Sequence, residues 1–179
     1  MKIINAYPGS PNEPMTEEET KNFMANNDNN LLIRIGLIDA KGEPNVIPLA
    51  YYFDDVSNKI YINTLKTTKK VLNLRKNNII AYCIDDSRFP FRGVRGKATV
   101  KIHEDVNHNI TIAKKFIMKS IVSLDNPIAK WLLTETERGN EVILEITPKY
   151  YSTWRGAVPV KQVGLTKQIH STQIPGTAT

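Results

Sequence analysis

Three apolar runs separated by turn residues, within residues 31–64, constrain the fold more than any other part of the chain. They are rich in β-branched and aromatic residues, which favours strands. The predicted strands are Leu31–Asp39, Asn45–Asp54 and Lys59–Thr64. The first turn contains Gly42, which adopts a positive φ at little cost, and the second is Asp54–Asn58. Connections this short join neighbouring strands into hairpins, so we predict an antiparallel meander.

One residue of the second strand restricts where that strand can lie. Pro48 has no N–H to donate to a neighbouring strand. A proline at this position predicts an edge strand, a bulge or a gap that faces a ligand.

The end of the third strand has the features of an anion site. Asn63-Thr64 ends the strand, the basic loop Lys66–Lys70 follows, and a helix pattern runs from about Thr68 to Lys76. A helix start offers free N–H groups and the positive end of the helix dipole, and the lysines add full charges. The pattern therefore allows phosphate binding, although on spacing alone a solvated basic loop is the commoner explanation.

The rest of the chain predicts further strands and helices around this meander. Thr16 and Glu19 form a capping-box pattern that begins a helix reaching about Asn26. The other predicted elements are strands at Ile79–Asp85, Phe91–Ile102 and Glu141–Ile146, the last continuing to Trp154, and helices between Glu104 and Arg138. About six strands with interrupting helices predict an antiparallel β-barrel with helical additions. We divide the chain into an N-terminal arm (residues 1–15), one domain (16–155) and a C-terminal tail (156–179).

The composition indicates a globular protein. Hydrophobic residues make up 41% and charged residues 23% of the 179 residues, which is ordinary for a soluble domain. No apolar run approaches the roughly 20 residues that span a bilayer, and the first eight residues lack the apolar core of a signal peptide. We therefore expect a cytoplasmic protein without a membrane partner. The net charge of +6 suits an anionic cofactor or substrate, and because the basic residues are spread along the chain we do not expect nucleic acid as the main partner.

The sequence offers no recognisable catalytic or metal-binding motif. The single cysteine, Cys83, lies in an apolar run without a nearby base, and His103, His108 and His170 lack the spacing of zinc ligands. We therefore propose no metal site and leave catalytic residues unassigned. There is no GxGxxG or P-loop motif, so a nucleotide cofactor would be held by neither a Rossmann nor a P-loop site.

Taken in order, the motifs resemble a known family. The opening hairpin Leu31–Leu49, the strand Ile60–Thr64 with its basic loop and the helix Val71–Asn78, and the strand Phe91–Ala98 are similar to the pyridoxamine 5′-phosphate oxidase-like superfamily, the FMN-binding split β-barrels. The resemblance covers roughly residues 16–155. It implies a mainly β fold, a six-stranded antiparallel split β-barrel with helical additions, and a homodimer with FMN at the subunit interface.

The resemblance also implies a set of cofactor-binding residues. The segment that begins with Ile47, Pro48 and Leu49 would run along the isoalloxazine through its backbone groups. Asn63 and Thr64 would face the ring and the ribityl chain. Thr68, Lys69 and Lys70 match the phosphate-binding Ser-Arg-Lys of the family and keep one hydroxyl and two cations. Arg92 would approach the cofactor from the partner subunit, and Trp154 matches a tryptophan that lies against the flavin.

A departure from the family pattern concerns the substrate. In the vitamin B6 oxidases the tryptophan is followed by an Arg/His-containing segment that holds substrate and cofactor, whereas here the segment is Ala157–Gly164. We therefore expect a small-molecule substrate other than pyridoxamine phosphate. A related branch uses the deazaflavin F420, whose acidic tail a basic groove of Lys66, Arg92, Arg95 and Lys97 could accept.

Three functional hypotheses follow. The first is an FMN-dependent oxidoreductase, with an F420-dependent reductase on the same barrel as its alternative. The second is a non-catalytic flavin-binding or sensor protein. The third is a nucleic-acid-binding barrel whose stacking residues would be Tyr51, Tyr52 and Tyr61.

Overall fold

A computed structural model describes residues 1–10, 12–25, 32–121 and 123–156. In these residues the chain forms nine strands and four helices. The strands are β1 (Ile3–Asn5), β2 (Ile33–Ile38), β3 (Pro44–Leu49), β4 (Tyr52–Asp54), β5 (Lys59–Leu65), β6 (Ile79–Asp86), β7 (Arg92–His103), β8 (Glu141–Pro148) and β9 (Tyr151–Arg155). The helices are α1 (Glu17–Ala25), α2 (Lys69–Lys76), α3 (Val106–Ser120) and α4 (Pro127–Glu137). The predicted tail from residue 157 onward, including Ala157–Gly164, lies outside the described residues.

The strands form one curled sheet in the order β3-β2-β6-β7-β8-β5-β4, and every pairing along this path is antiparallel. The long strand β7 lies at its centre. Its first part pairs with β6 and β9, and its last part pairs with β8. The two ends of the path, β3 and β4, are not hydrogen-bonded to each other, so the barrel is open along one seam. The predicted antiparallel split barrel with helical additions is therefore confirmed.

The predicted number of six strands is wrong. The path alone contains seven strands, and β1 and β9 add two more. The predicted strand Asn45–Asp54 is interrupted at Ala50 and Tyr51, because the buried Tyr51 ring turns inward and its hydroxyl donates to the Met24 carbonyl, 3.0 Å away. The last strand is interrupted between Pro148 and Tyr151, and the N-terminal arm supplies β1, which pairs in parallel with β9.

Pro48 lies where the sequence predicts it. Strand β3 is the end of the path and pairs only with β2, with Pro48 opposite Arg34. The missing N–H of Pro48 therefore costs no ladder hydrogen bond on the open side.

Side-chain alternation builds the core on the inner face of the sheet. In β2, Ile33, Ile35 and Leu37 are buried while the residues between them are not. Helix α2 places Val71 and Leu74 in the same core. Helix α1, which begins with the predicted capping box, adds Phe23 and Met24.

Helices α3 and α4 cover the opposite face of β5 and β8. Ile112 of α3 packs on Tyr61 and Ile143, and Phe116 packs on Ala129 of α4. Both helices begin at side-chain caps, since Asp105 accepts from the backbone N–H of His108 and Asn126 from that of Ile128. This second layer covers the strand that precedes the basic loop.

No helix in the described ranges is long and apolar enough to cross a membrane.

A pair of strand glycines gives a test of this packing. A Cβ at Gly96 would lie 2.4 Å from the Tyr150 carbonyl oxygen and 2.9 Å from the Tyr82 ring. Because that oxygen belongs to the backbone and cannot move aside easily, Gly96→Ala should lower the free energy of unfolding by about 1–3 kcal/mol in urea denaturation.

Gly36→Ala is the matched control, since its Cβ would lie 3.7 Å from the Ala81 Cβ, an ordinary contact. Its free energy of unfolding should stay within about 0.5 kcal/mol of wild type. Equal effects at the two glycines would contradict the described approach of Tyr150 to β7.

Candidate cofactor site

The open seam exposes backbone groups of two strands. Strand β5 pairs with β8 from Ile60 to Leu65, but with β4 only from Lys59 to Tyr61. On its seam side, the described chain therefore provides no strand partner for Ile62–Leu65. The outer side of β3 is also unpaired. Such edges leave N–H and C=O groups available to a ligand.

Helix α2 starts directly beyond this edge without a side-chain cap. Thr68 occupies the N-cap position, but its hydroxyl donates to the Leu65 carbonyl (2.9 Å) and caps no N–H group. The first turn contains no acidic residue. An uncapped helix start of this kind presents N–H donors and positive potential to an anion.

Two lysines flank the helix start. Lys69 is exposed, and Lys70 is half-buried with its Nζ donating to the Thr64 hydroxyl (2.9 Å). Burial lowers the pKa of Lys70. Among the described residues, no carboxylate lies within ion-pair distance of either lysine. A half-buried ammonium without a counter-charge favours an anionic ligand, which would relieve its desolvation cost.

The two residues predicted to face the ring and ribityl chain point in different directions. Thr64 lies on the face of β5 that carries Lys70, whereas Asn63 follows Tyr61 on the face beneath α3 and α4. The side chains of Asn63 and Thr64 therefore lie on opposite faces of the sheet, because neighbouring residues in a strand alternate. The backbone of both residues still lies at the seam edge.

The Asn63 amide makes no well-formed hydrogen bond. Its Oδ1 and Nδ2 atoms are buried, and neither meets the geometry of a hydrogen bond to a described group. The amide lies near the Glu141 carboxyl, close enough to lower the pKa of that group. Orphaned buried amide atoms are rare in folded proteins and mark a place where a water, an ion or a ligand completes the structure.

Glu141 is a member of this site that the sequence did not reveal. It is 3% exposed, and its Oε2 lies 3.3 Å from the Thr136 hydroxyl of α4. Burial raises the pKa of Glu141 to about 7, although the Thr136 and Asn63 contacts act in the opposite direction. The only signal in the sequence is that Glu141 opens the apolar run Val142-Ile143-Leu144.

The predicted ring-binding segment is at the other edge of the seam. Ile47 and Leu49 are half-buried against the core, and Pro48 is exposed. Only Ala50 and Tyr51 separate Leu49 from β4, which pairs with β5. The topology therefore brings this segment close to the seam that ends at Asn63 and Thr64.

Arg92 and Trp154 lie at the opposite end of β7 from the basic loop. Arg92 begins β7 and Trp154 of β9 pairs with the next residue, Gly93, whereas β8 pairs with the other end of β7, near the loop. A strand as long as β7 spans on the order of 35 Å at about 3.3 Å per residue. Arg92 contacts Asp86 (3.6 Å) and the Phe23 ring, and Trp154 packs on Tyr7. One chain alone does not bring these residues to the loop.

Two of the remaining basic residues line a separate groove. Arg95 and Lys97 point from the outer face of β7 into a groove of about 630 Å³ whose floor includes Gly36 and Ala81. Lys66 instead lies at the loop, where its Nζ donates to the Gly139 carbonyl (2.7 Å). The four residues of the predicted basic groove therefore lie in three separate places: Lys66 at the loop, Arg92 at the start of β7, and Arg95 with Lys97 in the groove.

Residues 17–155 match the sequence model of the family described as pyridoxamine 5′-phosphate oxidase. The chain belongs to this family. A search of curated proteins found no match.

Several solved structures share the fold of this chain. A conserved hypothetical protein from Mycobacterium tuberculosis is 18% identical, with 89% of this chain and 99% of that chain covered and a TM-score of 0.71. An FAD-binding protein from Mesorhizobium loti is 17% identical, with coverage of 83% and 100% and a TM-score of 0.59. An F420 reductase is 17% identical, with coverage of 74% and 94% and a TM-score of 0.57. At these identities the likeness shows the fold alone.

The residues around the basic loop fit a phosphate-bearing flavin. The loop supplies two lysines without acidic partners and an uncapped helix start, and the adjoining strand supplies an unpaired edge. These features are independent of one another, and each is costly without a ligand.

Glu141 makes the stability of the protein pH-dependent. Because burial raises the pKa of Glu141 from its usual 4.5 to about 7, its stabilising contribution is complete below about pH 4.5 and is lost as the pH rises through about 7. Glu141→Gln removes this titration. The free energy of unfolding of the variant minus that of wild type should therefore be roughly 2–3 kcal/mol larger at pH 8 than at pH 5.

Urea unfolding of both proteins at pH 5, 6, 7 and 8 measures this difference. Parallel stability curves over that range would show that Glu141 does not titrate there.

Proposed function

We propose that the protein is an FMN-binding flavoprotein and an oxidoreductase, which works as a cytoplasmic homodimer on a small-molecule substrate other than pyridoxamine phosphate. The observation that carries the proposal is the pair Lys69 and Lys70 at an uncapped helix start, beside the unpaired edge of β5. Membership of the pyridoxamine 5′-phosphate oxidase family supports it.

The FMN phosphate would be held by the start of α2. Lys69 and Lys70 would supply two charges, and Thr68 a hydroxyl group, to an anion that also accepts hydrogen bonds from the first-turn N–H groups. The phosphate would also provide the counter-charge that the half-buried Lys70 lacks.

The seam would hold the rest of the cofactor through the backbone. The edges at Ile47–Leu49 and at Asn63-Thr64 offer N–H and C=O groups on two sides. Backbone groups at a fixed sheet edge orient a planar ring without requiring particular side chains.

In this proposal the cofactor carries out the redox chemistry and the protein binds and orients it. When bound, the flavin supplies hydride or electron transfer. The chain binds its phosphate, orients its ring and excludes water from one side through the packed face of β5. Arg92 and Trp154, which one chain holds far from its own loop, would be supplied by the partner subunit across the interface.

The alternative is an F420-dependent reductase. Arg95 and Lys97 line an open groove that could accept a longer acidic tail, and the F420 reductase shares the fold.

The visible absorption spectrum of the freshly purified protein, with mass spectrometry of the released chromophore, tests the proposal. FMN supports it, F420 supports the alternative, and a preparation that binds neither on reconstitution overturns both. With FMN bound, reduction by NADH or NADPH followed by reoxidation with an added acceptor tests the enzymatic part. A flavin that every common donor leaves oxidised would indicate a non-catalytic flavin-binding protein.

The phosphate assignment predicts which part of FMN the loop recognises. The double variant Lys69→Ala, Lys70→Ala should bind FMN at least 100-fold more weakly, because charge-assisted bonds contribute roughly 1.5–3 kcal/mol each. The affinity for riboflavin, which lacks the phosphate, should change little. Fluorescence quenching titrations measure both affinities.

Lys41→Ala, Lys114→Ala is the matched control, because it removes the same charge from exposed positions away from the loop. It should leave FMN affinity within about threefold of wild type in moderate salt. Equal losses in the two double variants would mean that net charge alone governs binding.

A further inference from the structure

A cluster of buried polar groups lies directly behind the basic loop. The described residues contain five buried polar side-chain atoms without a hydrogen-bond partner, and four of them belong to Asn63, His108 and Asn109. Glu141 lies in the same layer, between β5, β8 and the covering helices, where Asn109 donates weakly to its carbonyl (3.5 Å). Unsatisfied buried groups of this kind are rare, and the Asn63 amide is the one that acts on the buried Glu141 carboxyl.

The segment that ends in Glu141 supports the loop. Leu65 pairs with Glu141 across β5 and β8. The backbone N–H of Lys66 donates to the Asn140 carbonyl (3.0 Å), and the Lys66 Nζ donates to the Gly139 carbonyl (2.7 Å). The phosphate-binding residues therefore begin only a few residues from a chain segment that ends in a buried acid.

We propose that Glu141 is a positioning residue that takes up a proton when the anionic cofactor binds. This inference rests on the proposed function, because it assigns a proton partner to the same site. A phosphate at the loop adds negative potential behind β5, and negative potential favours the neutral carboxyl. Binding and protonation are therefore coupled, and the coupling is reciprocal.

The orientation of the Asn63 amide depends on the protonation state of Glu141. A neutral Glu141 carboxyl can donate to the Asn63 Oδ1, whereas an ionised carboxyl can only accept, from the Asn63 Nδ2. The two protonation states favour opposite orientations of the amide. A change in the charge of Glu141 therefore changes the orientation of the Asn63 amide, at the strand edge where the cofactor is proposed to lie.

The protonation of Glu141 changes most steeply near neutral pH, since burial raises its pKa to about 7. The groups that act on the carboxyl are Asn63 from β5 and Thr136 and Glu135 from α4. Nearby, Asn109 of α3 donates to the backbone carbonyl of Glu141 and Lys66 of the loop donates to that of Gly139. The Glu135 charge favours the neutral form of Glu141, and the Thr136 and Asn63 contacts favour the ionised form.

Two other groups near the loop are ionisable. Burial lowers the pKa of Lys70 and an anion beside it acts in the opposite direction, while a phosphate has a second pKa near 6. Both groups are present in wild type and in a Glu141→Gln variant. The difference between the two proteins therefore reports Glu141 together with its coupling to the bound phosphate.

Calorimetric titration of each protein with FMN at pH 7, in buffers of different ionisation enthalpy, counts the protons taken up. Wild type should take up about 0.4 proton more per bound FMN than Glu141→Gln, which corresponds to a rise of the Glu141 pKa from about 7 to about 8 at pH 7. Riboflavin, which has no phosphate, should show no such difference.

Glu145→Gln is the matched control on the same strand. Burial acts to raise the pKa of Glu145, but the bonds and charges of Lys59 and His103 lower it on balance. Glu145 is therefore ionised throughout this range, and its replacement should leave the FMN-linked proton uptake at the wild-type value.

The outcomes separate this inference from the proposed function. Equal proton uptake by wild type and Glu141→Gln, with FMN bound tightly by both, would overturn the role of Glu141 and leave the flavoprotein intact. Failure of wild type to bind FMN would overturn the proposed function and this inference with it. A carboxyl carbon-13 NMR titration of the cofactor-free protein provides a second readout, and a Glu141 signal that titrates near 4.5 would also refute the proposal.

Discussion

The antiparallel pairing of β5 with β8 is the interaction on which the rest of the candidate site depends. It fixes Leu65 opposite Glu141 and so determines where the basic loop leaves the sheet. It also leaves the other side of β5 open beyond Tyr61, where β4 ends. The same ladder therefore anchors the loop on one side and exposes a strand edge to the seam on the other.

Several residues of the candidate site lower the stability of the folded protein. Lys70 is half-buried without a carboxylate, the Asn63 amide is orphaned, and Glu141 is buried where ionisation is unfavourable. A protein gains nothing from these arrangements in the folded state alone, because each is less stable than an apolar or fully paired alternative. Their concentration around one loop, while the inner core of the barrel is apolar, is typical of a binding site.

The amino-acid sequence predicted the parts of the fold that depend on local patterns. The first hairpin, the edge position of Pro48, the capping box at Thr16 and the start of α2 after a basic loop all follow from turn residues, alternation and helix signals within a few residues of each other. The interruption at Tyr51 and the pairing of β1 with β9 did not follow, because both depend on contacts between distant parts of the chain: Tyr51 with Met24, and Ile3 with Tyr151.

For the site, the sequence by itself determined the chemistry: a hydroxyl, two lysines and a helix start in consecutive positions, within an ordered set of motifs that identifies the family. Only the tertiary structure decided the geometry. It placed Asn63 and Thr64 on opposite faces, held Arg92 and Trp154 away from their own loop, and brought Glu141 behind it. Local patterns specify what a residue can do, but which groups meet is decided by strand pairing and helix packing between residues far apart in the chain, as when Glu141 is brought beside Leu65.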